Sequence, residues 1–308
     1  MPVSVSVLSS PASIPAAPAS LPPQPAEVRQ LLDRATRLET PCGDGQMVWH
    51  RWPAAPGAAS RPHRPVVLLH GGSGSWTHWL HNIAALVDSG REVLAADLPG
   101  FGDSAEPAGG RDADALPAPV EAGLRVLLGE GACDLVAFSF GGMVAGLLAA
   151  QHPARVARLV LVGSPGLGVA SRNTVTLTAW RHLSDPAERE TVHRNNLAAL
   201  MLYRPEAITA LALRLHTDNT LRDRMKGRRL AYTDILARTL PGVTCPVFAI
   251  YGREDALYRQ RQDALAPALR AAPDFRGMHW IEGAGHWVQF EQPGVFNALL
   301  LALLDGQT

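Results

Sequence analysis

At 308 residues, 47% hydrophobic and 18% charged, the chain has the composition of an ordinary globular protein, long enough for one large α/β domain or two smaller ones. Its 28 basic and 28 acidic residues cancel, so neither a basic field for nucleic acid nor an acidic tail for a charged partner is present. Three scattered cysteines, Cys42, Cys133 and Cys245, form no redox or metal-spaced pair, which points to reduced thiols and a cytoplasmic setting.

Residues 1–25 are rich in Ser, Pro and Ala, with prolines at 11, 15, 18, 22, 23 and 25 that break any helix. The stretch lacks the basic start and apolar run of a signal peptide and reads as a disordered or loosely attached tail. A short helix is expected over 26–35, then two strands over 36–40 and 47–52 joined by Gly43, Asp44 and Gly45. A Pro/Gly/Ser-rich loop fills 54–64. From there strand and helix patterns alternate: strand 65–69, helix 76–89, strand 92–96, helix 113–128, strand 135–138, helix 142–151, strand 157–162. After an interruption over 166–240 come strand 247–251, helix 262–271, strand 275–281 and helix 295–304. Apolar strands alternating with helices imply an α/β fold: a mainly parallel sheet of about eight strands, helices on both faces, and an antiparallel edge. The core therefore divides into 26–165 and 241–308. The helical interruption reads as a lid over the sheet's C-terminal edge, where open α/β sheets bind ligands. No apolar run reaches the roughly 18 residues that a membrane span needs.

Ser139 follows the apolar run 135–138 and precedes Gly141, Gly142 and a helical stretch. A serine there is often a helix N-cap. It is also the place where a nucleophile is exposed and where a helix N-terminus favours developing negative charge. A nucleophilic serine needs a base, and the base an orienting acid. His286 lies in a glycine-flanked loop after strand 275–281, and Asp255 follows strand 247–251, with Glu254 as its rival. His70-Gly-Gly72 also follows a strand and precedes a helix, without the Lys and Ser/Thr of a phosphate loop. Asp97 and Asp103, in a Gly/Pro turn after strand 92–96, read as structural. His78 and His81 stand three apart but lack a third ligand, so neither a metal nor a cofactor is expected.

The order Ser139, Asp255, His286, with the segments His70-Gly-Gly72 and Asp97-Leu-Pro-Gly-Phe-Gly-Asp-Ser104, resembles the α/β-hydrolase superfamily over residues 36–305. Ala137 stands where the G-x-S-x-G motif usually has Gly. The resemblance implies Ser139 as nucleophile, Asp255 and His286 as its partners, and the N–H groups of Gly72 and Phe140 as an oxyanion hole. The ending Gly285-His-Trp-Val-Gln-Phe-Glu-Gln-Pro293 looks most like carbon–carbon hydrolases of meta-cleavage pathways and related esterases. Phe138 and Phe140 replace that subgroup's Asn and Met beside the nucleophile. Its lid arginine for a substrate carboxylate has candidates in Arg222, Arg224, Arg228 and Arg229, although arginines of a solvated helix are the better reading of them. Ser73, Phe138, Trp180, Met201, Arg229 and Trp287 are the residues expected to line the pocket, although Trp180 and Met201 equally suit packing of the lid on the core. The expected reaction is hydrolysis of an ester or related acyl bond of a small, largely apolar substrate. Carbon–carbon cleavage, cofactor-free perhydrolysis or haloperoxidation, and a non-enzymatic small-molecule receptor are the alternatives. A small molecule is the expected partner, with no nucleic acid and no membrane, and a homo-oligomer is left open.

Overall fold

The computed structural model describes residues 23–57, 63–170, 175–225 and 227–306. The expected tail lies outside these residues except for its last three. Eight strands form one sheet: β1 (Thr36–Cys42), β2 (Gly45–Trp52), β3 (Val66–Leu69), β4 (Val93–Ala96), β5 (Cys133–Phe138), β6 (Val156–Val162), β7 (Val247–Gly252) and β8 (Phe275–Ile281). Their spatial order is β1-β2-β4-β3-β5-β6-β7-β8. The β1–β2 hairpin pairs antiparallel with itself and, through β2, with β4, while every pairing from β4 to β8 is parallel. The expected antiparallel edge and parallel centre are therefore both present.

Strand periodicity sorts the core into two layers. The sheet is flanked by α1 (Ala26–Leu32), α2 (Ile83–Asp88), α3 (Pro117–Leu128) and α4 (Phe140–Gln151); Leu135, Ala137, Leu159, Leu161, Val247 and Ala249 point to one face, with α3 and α4. Val136, Phe138, Val160, Val162, Phe248 and Ile250 point to the other, packed with α1, α2 and the C-terminal helices. The central strands β3, β4, β5 and β7 are buried at every position, as strands covered on both faces must be. All three cysteines are unpaired and buried, and burial raises each thiol, Cys133 to about 12 and Cys245 to about 11.

Four expected helices come out shorter: 26–35 ends at Leu32, and 113–128 opens with a 3-10 turn, Ala113–Ala115, before α3. Residues 76–89 divide into a 3-10 turn, Trp76–Trp79, and α2, because Leu80 and Asn82 donate to carbonyls three residues back and the Asn82 amide donates to Gln289 O and Asn297 Oδ1. Residues 262–271 keep only Leu265–Leu269 as α-helix, since Pro267 has no N–H to continue the ladder from residue 263.

Between β6 and β7 the chain forms α5 (Pro186–Asn196), α6 (Ala210–Leu221) and the short α7 (Ile235–Thr239). Two further helices are α9 (Val288–Glu291) and α10 (Pro293–Asp305), after α8 (Leu265–Leu269). At Leu197–Met201, the helical path after α5 widens into a π turn, Leu202 N–H donating to Leu197 O at 2.9 Å. Such wide turns push residues outward and recur at functional sites.

The insertion is tied to the loop after β8 by one carboxylate. Glu291, buried on α9, accepts from the N–H groups of Tyr203, Arg204 (2.7 Å) and Gly285 (2.7 Å), with the Arg204 guanidinium 3.7 Å away. Glu291→Gln keeps the shape but turns an amide NH2 donor toward N–H donors, leaving N–H groups unsatisfied. A loss of about 3 kcal/mol of stability is expected, read as a lower urea midpoint at unchanged m-value. A midpoint equal to wild type would show that the carboxylate does not anchor this junction.

Candidate active site

β5 ends at Phe138 and α4 begins at Phe140, so Ser139 makes the whole turn. Its φ is +50° and its ψ −118°, a region that costs a non-glycine residue about 1–3 kcal/mol. The surroundings hold it there. Ser139 N–H donates to Val162 O at 2.7 Å. A Cβ on Gly141 would stand 2.5 Å from His70 O, and one on Gly142 would overlap the Ser164 hydroxyl, so only glycine lets α4 start this close to β3 and β6. Ala137, in place of the motif's glycine, is fully buried between Leu69 and Leu161 with no distortion of the register.

The Ser139 hydroxyl meets His286 Nε2 at 2.9 Å, and His286 Nδ1 meets Asp255 Oδ2 at 2.7 Å. The carboxylate accepts, which puts the imidazole proton on Nδ1 and leaves Nε2 to accept from the serine. Asp255 and His286 are buried, whereas Ser139 is partly exposed. Asp255 is fixed from its other oxygen by Leu257 N–H at 2.9 Å. The rival acid, Glu254, turns away to pair with Arg259 at 3.2 Å. Gly163, at φ +55°, lets the imidazole approach β6: a side chain there would lie 3.3 Å from the ring.

The loop after β3 is pinned by two histidines. Leu98 N–H donates to His70 Nε2 (2.8 Å), His70 Nδ1 bonds Gly71 O (2.7 Å), and Gly71 N–H donates to His78 Nδ1 (3.2 Å). Burial pushes His70 down to about 4 and His78 well below its ordinary range, so both stay neutral and can accept these bonds. Asp97 is a structural clamp, its oxygens accepting from Trp76 N–H and Asp103 N–H, each at 2.9 Å. Among the described residues no three His, Cys, Asp or Glu side chains group so as to hold a metal ion.

Ser139 and His286 open onto a cavity of about 530 Å³, lined also by Gly72, Ser73, Phe140, Asp223 and Arg228. It adjoins a second of about 540 Å³, the two sharing Ser73, Leu177, Arg181, Leu200 and Asp223. Of the expected lining residues, Ser73 borders both and Trp180 and Met201 border the second. Three require correction. Phe138 points to the opposite side of β5, its ring 5.0 Å from the His286 ring and 5.4 Å from His78. Trp287 is fully buried, stacked on Phe290 at 4.0 Å with its indole N–H on His78 O. Arg229 is exposed, its backbone N–H held by Asp112. Of the arginines over 222–229, its neighbour Arg228 is the one that reaches the cavity. Leu200, carried by the π turn, was invisible in a sequence pattern that assumes regular helix.

The alpha/beta hydrolase family model matches residues 66–299. The chain belongs to the alpha/beta hydrolase family. This hydrolase is 29% identical over 255 residues to a 2-hydroxy-6-oxononadienedioate/2-hydroxy-6-oxononatrienedioate hydrolase of a Pseudomonas species, covering 78% of this chain and 87% of that one. It is 30% identical over 257 residues to the enzyme of the same description from Paraburkholderia phymatum, with 78% and 86% covered. Among solved structures, a serine hydrolase from Cycloclasticus zankles has the same fold at a TM-score of 0.71 and 21% identity, covering 89% of this chain and 99% of that one. The carboxylesterase CesB of Bacillus subtilis superposes with a TM-score of 0.70 at 18% identity, over 91% and 96%. Among the described residues no helix is long and apolar enough to cross a membrane.

The neutral histidines give the hydrolase an acid limit. His70 and His216 are both held down to about 4, by burial in each case and by the neighbouring His193 for His216. Unfolded, each titrates near 6.5. Between about pH 6.5 and 4 the unfolded chain therefore binds protons that the native state refuses, and stability falls with falling pH by about 1.4 kcal/mol per unit for each histidine. Urea midpoints at pH 7.5, 5.5 and 4.5 should show this decline, and His216→Phe should make it shallower. An unchanged slope in that variant would contradict a neutral, buried His216.

Proposed function

We propose that this hydrolase cleaves a carboxylic ester or related acyl bond of a small, largely apolar molecule through an acyl-enzyme. The observation that carries the proposal is the unbroken relay of Ser139 Oγ, His286 Nε2 at 2.9 Å, and Asp255 2.7 Å behind it, opening onto a cavity at the sheet's C-terminal edge. In this reading the Ser139 hydroxyl attacks the carbonyl carbon while its proton passes to His286. The carbonyl electron pair moves onto oxygen, where the N–H groups of Gly72 and Phe140 hold it. Phe140 opens α4, and the first N–H groups of a helix have no acceptor within it. Collapse expels the alcohol, which takes the proton from His286. Water, activated by the same imidazole, then attacks the acyl carbon and frees the acid and Ser139.

The insertion between β6 and β7 serves in this proposal as the lid, since Leu200, Arg181 and Arg228 wall the cavity from above the sheet edge. The three unpaired cysteines suit a cytoplasmic enzyme. Carbon–carbon hydrolysis is the second reading, favoured by the names of the 29–30% identical relatives. It is weakened by the pairing of Arg228 with Asp223 at 2.9 Å, which partly offsets the positive charge a dianionic substrate would seek.

Ser139→Ala should lower turnover of p-nitrophenyl butyrate by at least about a thousandfold while leaving the circular dichroism spectrum intact. Hydrolysis at the wild-type rate would overturn the serine mechanism. Asp255→Asn should retain the fold and lose about 10²–10⁴ in kcat, because an amide can fix the wrong imidazole tautomer. Turnover of a dienoic meta-cleavage product at higher kcat/KM than any ester would decide for the second reading.

A further inference from the structure

Four arginines follow one another over residues 222–229, and the chain sends each to a different fate. Arg222 pairs with Asp103 at 2.9 Å. Arg224 donates to the backbone carbonyls of Phe101, Gly102 and Ser104. Arg229 is exposed. Arg228 turns inward and lies across the two residues that bracket the proposed oxyanion hole. Its Nη1 would stand 3.2 Å from a Cβ on Gly72, and its guanidinium carbon is 5.6 Å from the centre of the Phe140 ring and 5.2 Å from that of Phe101.

Only half of that guanidinium is used. Nη2 donates to Ser73 Oγ at 3.1 Å and to Asp223 Oδ2 at 2.9 Å, and the Ser73 hydroxyl donates to the same carboxylate oxygen at 2.5 Å. Nη1 is buried and has no hydrogen-bond partner among the described residues. A buried charged donor without an acceptor is costly, so a site that keeps one gains when an acceptor arrives. Ser73 also holds a backbone φ of +51°, which a non-glycine residue keeps only when its surroundings impose it. The Asp223–Ser73–Arg228 triangle does so: it fixes the loop that carries Gly72 and holds Nη1 against that glycine, on the wall of the cavity that Ser139 and Phe140 share.

We propose that Arg228 Nη1 is a third donor to the oxyanion, a side-chain partner to the two backbone N–H groups, held in position by Asp223 and Ser73. This rests on the serine mechanism proposed above. When Ser139 Oγ adds to a carbonyl, the π pair moves to oxygen and the proton to His286, and the full charge then lies beside a guanidinium whose own charge Asp223 partly offsets. The interaction grows as the charge forms, so it acts on kcat more than on KM.

The test uses a neutral ester, p-nitrophenyl acetate, and an anionic one, p-nitrophenyl hemisuccinate, with wild type, Arg228→Met, Arg228→Lys and Ser139→Ala. Arg228→Met is expected to lower kcat for the neutral ester about 10- to 100-fold with KM within about threefold, and Arg228→Lys to recover part of it. A trifluoromethyl ketone, whose serine adduct carries the oxyanion, should lose affinity for Arg228→Met by a similar factor. If Arg228→Met instead leaves the neutral ester untouched and raises KM for the hemisuccinate alone, Arg228 binds a substrate carboxylate and the proposal is wrong. If kcat and inhibitor affinity stay at wild-type values while only the melting temperature falls, Arg228 is structural and the proposal is again wrong. Ser139→Ala separates the two readings: turnover surviving in it sinks the serine mechanism, whereas a dead Ser139→Ala with an unimpaired Arg228→Met sinks only the oxyanion donor.

Discussion

The site depends on one residue's backbone being held where it would not go by itself. At Ser139 the chain reverses from the end of β5 into α4 within a single left-handed step. That step is possible because the Ser139 N–H is caught by Val162 O on the adjacent strand, and because glycines at 141 and 142 let the helix lie directly on β3 and β6. The same closeness sets every other distance. β3, β5, β6 and β7 end within one edge, so the loops after them deliver Gly72, Ser139, Gly163 and Asp255 to a common place without any long reach. The strain is local, while the contacts that impose it are spread over the two packed layers of the core.

Electrostatically the edge is arranged by subtraction. Burial keeps His70 and His78 uncharged, so they serve as hydrogen-bond posts for the Gly71 backbone and add no field of their own. Glu254 is drawn outward by Arg259, leaving Asp255 as the carboxylate behind His286. The cavity beside the serine is left with the Asp223–Arg228 pair and Arg181, all brought from the insertion, so the sheet provides the proposed nucleophile and the insertion provides the charge beside it.

How much of this could be read from sequence follows from what each signal encodes. The sheet was legible because its central strands, buried on both faces, are written as unbroken apolar runs, and the Ser139–Asp255–His286 order because Ser139 and Asp255 follow such runs and His286 sits in a glycine-flanked loop after the edge strand β8. Helix lengths were less so: nothing in the apolar spacing over 76–89 reveals that Asn82 leaves the ladder to bind Gln289 and Asn297, contacts more than 200 positions away along the chain. The cavity wall was the least legible part. Phe138 and Trp287 adjoin the motif residues in sequence, yet strand alternation and the turn after His286 send both into the core. Arg228 and Arg229 differ by one position, and only the loop's path decides which one turns inward.

The buried cysteines carry a practical corollary. A thiol held at about 12 is thiolate to roughly one part in 10⁵ at neutral pH, and thiolate is the form that alkylates, oxidises or exchanges. Cys42 and Cys245 are likewise shielded and raised. Little reaction of the native cysteines with maleimides or mild peroxide is therefore expected. A single cysteine introduced on the exposed stretch around Leu177 would become the one reactive thiol, so a fluorophore there would report movement of the insertion against an unlabelled background.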